Sequence, residues 1–406
     1  MLNFNRENAL FLLKGLVVYR RILNDEVIST FVKSLQEDNG DTIFDFISLL
    51  IEKAHALGLS GNIFRQYLIY AFLNDENIFT LACENKQQMK DSSLYAYAMQ
   101  DLSALQQLCE LDVLALKDHK SILNLSEPFI EDLEKAATPK EKMSLLLNYY
   151  INHGAGDMPR FRMFSVNNDG ALVGIHHPDA VEFKDIIGCD HQKTALIENI
   201  EAFLKRRPAN NILLVGSRGN GKSSCIKALV NQYYNQGLRL VEIQKDQVVL
   251  LPKLVEKLAA RGKFFIIHMD DLSFEQFETQ YKYLKSLLEG GAGVRPDNVL
   301  FCATSNRRHI IRESWSDRDG GGTSSNDEVH VNDTINEKMS LSDRFGLTLH
   351  FPHINQEEYL KIVKGLATQR GINIDIEILC AKALQWSVEH KRMSGRTAVQ
   401  FLDHIQ

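Results

Sequence analysis

The octapeptide GSRGNGKS, residues 216–223, constrains this chain more than any other stretch of its sequence. It follows the apolar run Ile212-Leu213-Leu214-Val215 and precedes SCIKALVNQYYNQ, a segment compatible with a helix. A glycine-rich turn with Lys-Ser at its end, set between a strand and a helix, is the P-loop pattern. Glycines let the backbone amides turn inward around phosphate, and the positive end of the following helix adds to the attraction. Gly216, Ser217, Arg218, Gly219, Asn220, Gly221, Lys222, Ser223 and Ser224 are therefore the expected nucleotide-binding segment, with ATP and Mg²⁺ as cofactors. Lys222 is expected to reach the β- and γ-phosphates. Ser223 is expected to ligate Mg²⁺ through its hydroxyl, which Ser224 cannot do from one residue further around the helix. A chance glycine turn would need neither the strand before it nor the helix after it.

Hydrolysis also needs an acid to help hold the metal and a group to aim water at the γ-phosphate. The run FFIIHMDD, residues 264–271, supplies both on the end of an apolar strand. Asp270 is expected at the strand tip facing Mg²⁺, and Asp271 beside the attacking water. Taken alone the pair reads equally well as an acidic turn that caps a helix. The phosphate loop upstream favours the metal reading.

After residue 185 the pattern alternates strand and helix, which signals a parallel sheet covered by helices on both faces. Expected strands are 211–215, 239–243, 264–269, 299–303 and 347–351, several of them unbroken apolar runs suited to burial on both sides. The expected domains are a helical region at 1–150, a linker or short hairpin at 151–184, an ATPase core at 185–354 and a helical lid at 355–406. Residues 1–150 carry apolar side chains at three- and four-residue spacing, as in Phe64, Tyr67, Leu68, Ala71 and Phe72. That aromatic content reads as core filling, so the region is expected to be an adaptor or oligomerisation domain without chemistry of its own. His176-His177 has no third ligand nearby and reads as a surface turn, with no metal.

With 406 residues the chain has length for roughly two or three domains. Its net charge of −6 argues against a surface devoted to nucleic acid, although it does not exclude a local basic patch. The six cysteines are scattered without a CxxC pair and read as reduced thiols of a cytoplasmic protein. Near the N-terminus, Glu7 precedes and Lys14 interrupts the apolar stretch, which reads as an amphipathic helix rather than an export signal or a membrane span.

From about residue 185 onward the chain resembles the AAA+ ATPases. Ile187-Gly188 looks like the element that contacts adenine. Asn306, ending VLFCATSN, matches the sensor-1 position that helps orient the lytic water. Arg344, in SLSDRFGL, looks like the arginine finger that reaches a neighbouring subunit's nucleotide. Arg396, in MSGRTAVQFL, resembles the sensor-2 arginine of the lid. Arg307 and Arg308 are rival finger candidates, and each arginine has a bland reading as a surface ion pair. The runs DDLSFE, ATSNRRH and SLSDRFGL further resemble a bacterial AAA+ family with an unassigned biological role. Many superfamily members carry Asp-Glu where this chain has Asp270-Asp271, which leaves Glu275 as a rival for the water-positioning role. The resemblance implies homo-oligomers, most often rings. The polar segment 312–338 reads as a mobile loop, either a tolerated insertion or a segment that orders on contact.

The leading expectation is an ATP-driven remodeller or loader of a macromolecule, with a protein client held by the N-terminal domain. A DNA-associated ATPase of the replication-loader or transposition-helper type is the alternative. A small-molecule phosphotransferase fits the lid and arginines less well.

Overall fold

The computed structural model describes residues 5–37, 40–59, 61–89, 92–111, 113, 129, 132–133, 136, 138–272, 284, 288, 296–306 and 344–406. It divides into two compact units, Met1–Arg160 and Phe161–Gln406.

The first unit is helical: α1 (Arg6–Lys14), α2 (Glu26–Gln36), α3 (Gly40–Leu57), α4 (Ile63–Asn74), α5 (Ile78–Glu84), α6 (Ser93–Cys109) and α7 (Pro139–His153). Local chemistry sets the boundaries. Asn5, Asp25, Asn62, Asn77, Ser92 and Thr138 each accept a first-turn N–H as N-caps, and Thr138 forms a capping box with Glu141. The periodic aromatics are core, as expected: Phe31 lies 4.8 Å from Phe46 and 4.7 Å from Phe64, centroid to centroid. Burial of each such ring contributes roughly 2–3 kcal/mol. Asp101, on α6, is buried and accepts from the backbone N–H groups of Val17, Val18 and Tyr19 at 2.7–3.0 Å. Those three donors follow the end of α1, so a single carboxylate fixes the turn that leaves it.

The second unit is built on a seven-stranded sheet: β1 (Met163–Val166), β2 (Leu172–Gly174), β3 (Ile212–Gly216), β4 (Leu238–Ile243), β5 (Phe264–Met269), β6 (Val299–Ser305) and β7 (Leu347–Phe351). Their order is β2-β1-β4-β5-β6-β3-β7. Every pairing is parallel except that of β1 with β2. All five expected strands form. The sheet, however, begins inside the 151–184 segment expected to serve as a linker or short hairpin. There the side chain of Asn167 accepts from Asp169 and Ala171 and turns the chain, while β1 pairs in parallel with β4.

Helices α8 (Asp190–Leu204) and α9 (Lys222–Tyr233) share one core cluster with Ile212, Leu214, Leu240 and Ile266. The alternate residues Leu213, Val241 and Ile267 are buried too, so the sheet is covered on both faces. Helix α10 (Leu251–Ala259) lies between β4 and β5 in sequence and buries Leu251, Leu254 and Leu258. Beyond β7, three helices form a bundle: α11 (Gln356–Gln369), α12 (Ile376–Glu389) and α13 (Gly395–Ile405). Tyr359, Val363, Ala383, Ala398 and Phe401 give this bundle its own core. The architecture is an α/β fold, a mostly parallel sheet covered by helices on both faces, with a helical N-terminal unit and C-terminal helices.

Candidate functional site

Register places the chemistry. Thr304 of β6 pairs with Leu214 of β3, and Ala303 pairs with Met269 of β5, so the C-terminal ends of the three strands align. The phosphate loop leaves β3, the Asp270-Asp271 pair leaves β5 and Asn306 leaves β6, all at that edge. Ligands of open parallel sheets bind at the carboxyl ends of the strands. A cleft of ≈ 1250 Å³ opens there, lined among others by Ile187, Gly188, Lys222, Asp270, Asn306 and Arg396.

The loop has a backbone conformation that its glycines make accessible. Gly219 and Gly221 have φ of +82° and +85°, a region that a side chain disfavours. Gly221 is the N-cap of α9, which leaves the first N–H groups of that helix free of intrahelical partners and directed at the loop. Lys222 is buried, and its ammonium donates to the carbonyls of Gly216 (2.7 Å) and Ser217 (2.9 Å) and to Asn306 Oδ1 (3.1 Å). Burial pushes its pKa below the ordinary lysine value, against the opposing fields of Asp270 and Asp271.

Asp270 follows the last residue of β5 and faces Ser223 and Thr304. Its Oδ1 accepts from Ser223 Oγ at 2.7 Å and from Thr304 Oγ1 at 2.5 Å. Burial alone raises its pKa, but the hydrogen bonds from Thr304 and Ser223 outweigh that and hold it below the usual carboxylate value. Thr304 also accepts from the backbone N–H of Asp271 at 2.9 Å. This threonine escaped the sequence reading, although it lies within the VLFCATSN run that identified Asn306. Among the described residues no group of three or more His, Cys, Asp or Glu side chains forms a metal cage. The Ser223–Asp270 oxygen pair suits Mg²⁺, which binds through one or two protein oxygens, with substrate phosphates and water completing its shell.

Asp271 has φ +51° and both carboxylate oxygens engaged. Asn306 Nδ2 donates to Oδ1, and Arg218 lies 2.6 Å from Oδ2. Behind the pair, His268 on β5 is buried with neither ring nitrogen hydrogen-bonded, 4.0 Å from Glu242 Oε1. Its burial pushes the imidazole pKa down to about 4.

The remaining expected residues fall into three groups. Ile187, Gly188, Ser224 and Arg396 line the cleft. Ile187 packs beside Gly365 of α11, where an added Cβ would lie 3.0 Å from it, so this segment touches the helical bundle directly. Arg344 is exposed just ahead of β7 and is not part of that lining. Glu275, Arg307, Arg308 and the segment 312–338 lie outside the described residues.

No curated protein matches the chain. Among solved structures, three mutant forms of the RuvB protein of Thermotoga maritima are similar at 13% identity and a TM-score of 0.33, covering 55% of this chain and 71% of theirs. Among the described residues no helix is long and apolar enough to cross a membrane. A family model described as protein of unknown function (DUF815) matches residues 157–406, the whole sheet and the helical bundle after it, and the chain belongs to that family.

Proposed function

We propose that the chain is an assembling, Mg²⁺-dependent ATPase that couples hydrolysis to the remodelling or loading of a macromolecular client. The observation that carries this reading is the convergence of Lys222, Ser223, Asp270 and Asp271 at one edge of the sheet, with Asp270 2.7 Å from Ser223. Lys222 and the amides at the start of α9 neutralise the phosphates. Ser223 and Asp270 hold the metal, which when bound offsets the charge developing on the transferred phosphoryl group. Asp271 orients the attacking water and takes its proton, with Asn306 fixing the carboxylate. Arg396 approaches from α13 over the phosphates. Arg344 acts on the nucleotide of a neighbouring subunit, a role that its exposure outside its own cleft supports.

Protein is the client class we favour, because the net charge is −6 and the N-terminal unit is helical. The test is Mg²⁺-dependent phosphate release by the full chain, with Lys222→Ala as control. Lys222→Ala is expected to abolish release by removing nucleotide binding. Equal release from both chains rejects the site. Stimulation by single-stranded DNA in the same assay replaces the protein client with the DNA-associated alternative.

A further inference from the structure

The phosphate loop holds a residue whose partner is unexpected. Arg218 occupies the third position of GSRGNGKS, and its guanidinium pairs with Asp271, outside the loop. Asp271 is held from its other side by Asn306, and Asn306 accepts in turn from Lys222. Loop, Lys222, Asn306, Asp271 and Arg218 thus close a ring of donors and acceptors that begins and ends on the phosphate loop. Both cations of the loop belong to it.

We propose that Arg218 is a positioning residue that exchanges Asp271 for the phosphates of the bound nucleotide, so that filling the loop releases the water-orienting carboxylate. This rests on the nucleotide reading given above. Arg218 has two mutually exclusive anionic partners within reach of one side chain: a single carboxylate, and the several charged oxygens of a triphosphate in the loop that carries it. Guanidinium prefers the richer acceptor set. The side chains of Arg218 and Asp271 are 62% and 45% exposed, and an ion pair in such contact with water is weak, so it yields cheaply. A deeply buried pair would resist the exchange. While Arg218 and Asn306 both hold Asp271, each of its two oxygens is already engaged by a donor and is less available for the proton of a water. Once Arg218 leaves, Oδ2 is free to accept it.

A thermodynamic cycle distinguishes exchange from a permanent structural pair. Affinity for a non-hydrolysable ATP analogue with Mg²⁺ is measured on four full-length chains: unaltered, Arg218→Ala, Asp271→Asn and the double variant. Removing the Asp271 charge relieves repulsion of the phosphates in every background. If Arg218 must leave Asp271 on binding, Asp271→Asn also removes the cost of breaking the pair, but only where Arg218 is present. Exchange therefore predicts that Asp271→Asn tightens binding more in the Arg218 chain than in the Arg218→Ala chain, by about two- to fivefold, the size of an exposed charge pair. Arg218→Lys, which keeps a cation able to change partners, is expected to preserve the sign of this coupling. A permanent pair predicts equal tightening in both backgrounds, because the fields of a fixed Arg218 and a fixed Asp271 at the phosphates add independently. Equal tightening in both backgrounds, or the reverse sign, overturns the exchange while leaving the nucleotide site intact. An unaltered chain that binds no analogue overturns the nucleotide reading, and the exchange with it.

Discussion

The backbone N–H of Arg396 donates to the carbonyl of Gly219 across 3.3 Å, so the first turn of α13 rests directly on the phosphate loop. A Cβ on Gly219 would lie 3.0 Å from Ser394 Oγ and 3.3 Å from Arg396 Cβ, and the residue's φ is +82°. Gly219→Ala therefore meets a backbone penalty of about 1–2 kcal/mol and displaces the helix start. We expect roughly a tenfold loss of nucleotide affinity, of the order of that penalty. Calorimetric titration is the check, and affinity within a factor of about two of the unaltered chain would separate loop geometry from binding.

Asp271→Asn keeps the shape and the hydrogen bond from Asn306 but cannot accept a proton. Bound ATP should persist while turnover falls by roughly 10²-fold or more, the usual share of a general base. Rapid filtration of radiolabelled nucleotide alongside phosphate release measures both. Survival of turnover in this variant together with its loss in Glu275→Gln would transfer the role to Glu275.

Arg344→Ala should leave ATP affinity unchanged and abolish most hydrolysis, because the residue is exposed ahead of β7 and lies away from its own cleft. Activity per subunit of the unaltered chain should rise with protein concentration. A strict monomer hydrolysing ATP at a concentration-independent rate contradicts a finger acting between subunits.

His268 sets a pH dependence whose sign follows from its burial. In the unfolded chain the imidazole titrates near 6.5, whereas in the fold it titrates at about 4. Between those values the unfolded chain binds more protons, so stability is full above about pH 6.5 and declines as pH falls toward 4, by on the order of 3 kcal/mol. Asp270 opposes this shift, Lys227 reinforces it, and Glu242 faces the ring from 4.0 Å. His268→Leu should flatten that limb in denaturant titrations at stepped pH. An unchanged slope would assign acid sensitivity to other groups.

Much of the candidate site was legible because its residues are compact in sequence: eight consecutive residues make the glycine-rich loop, and two adjacent aspartates end one apolar strand. The flanking runs ILLV and FFIIHM announced buried parallel strands for the same reason. Strand β1 was harder to see. Its four residues are too few for periodicity to declare, and its parallel partner β4 starts at Leu238, a long way downstream. The reading of 151–184 as a linker or short hairpin was the visible clue, but a hairpin does not reveal which sheet it joins. Thr304 was hidden differently, since a hydroxyl on a buried strand announces nothing until register sets it against Asp270. The Arg218–Asp271 pair depends on the fold entirely, joining residues 53 positions apart.

The left-handed backbone at Asp271 bears on why this position carries the shorter acid. With φ at +51°, the residue sits in a region that aspartate and asparagine enter far more readily than glutamate, because their short polar side chains satisfy local donors. Thr304 and Leu272 pin that bend, accepting from the Asp271 amide and donating to the Thr304 carbonyl respectively. Backbone and side chain thus act together: the sharp bend carries the short carboxylate to Asn306 and Arg218.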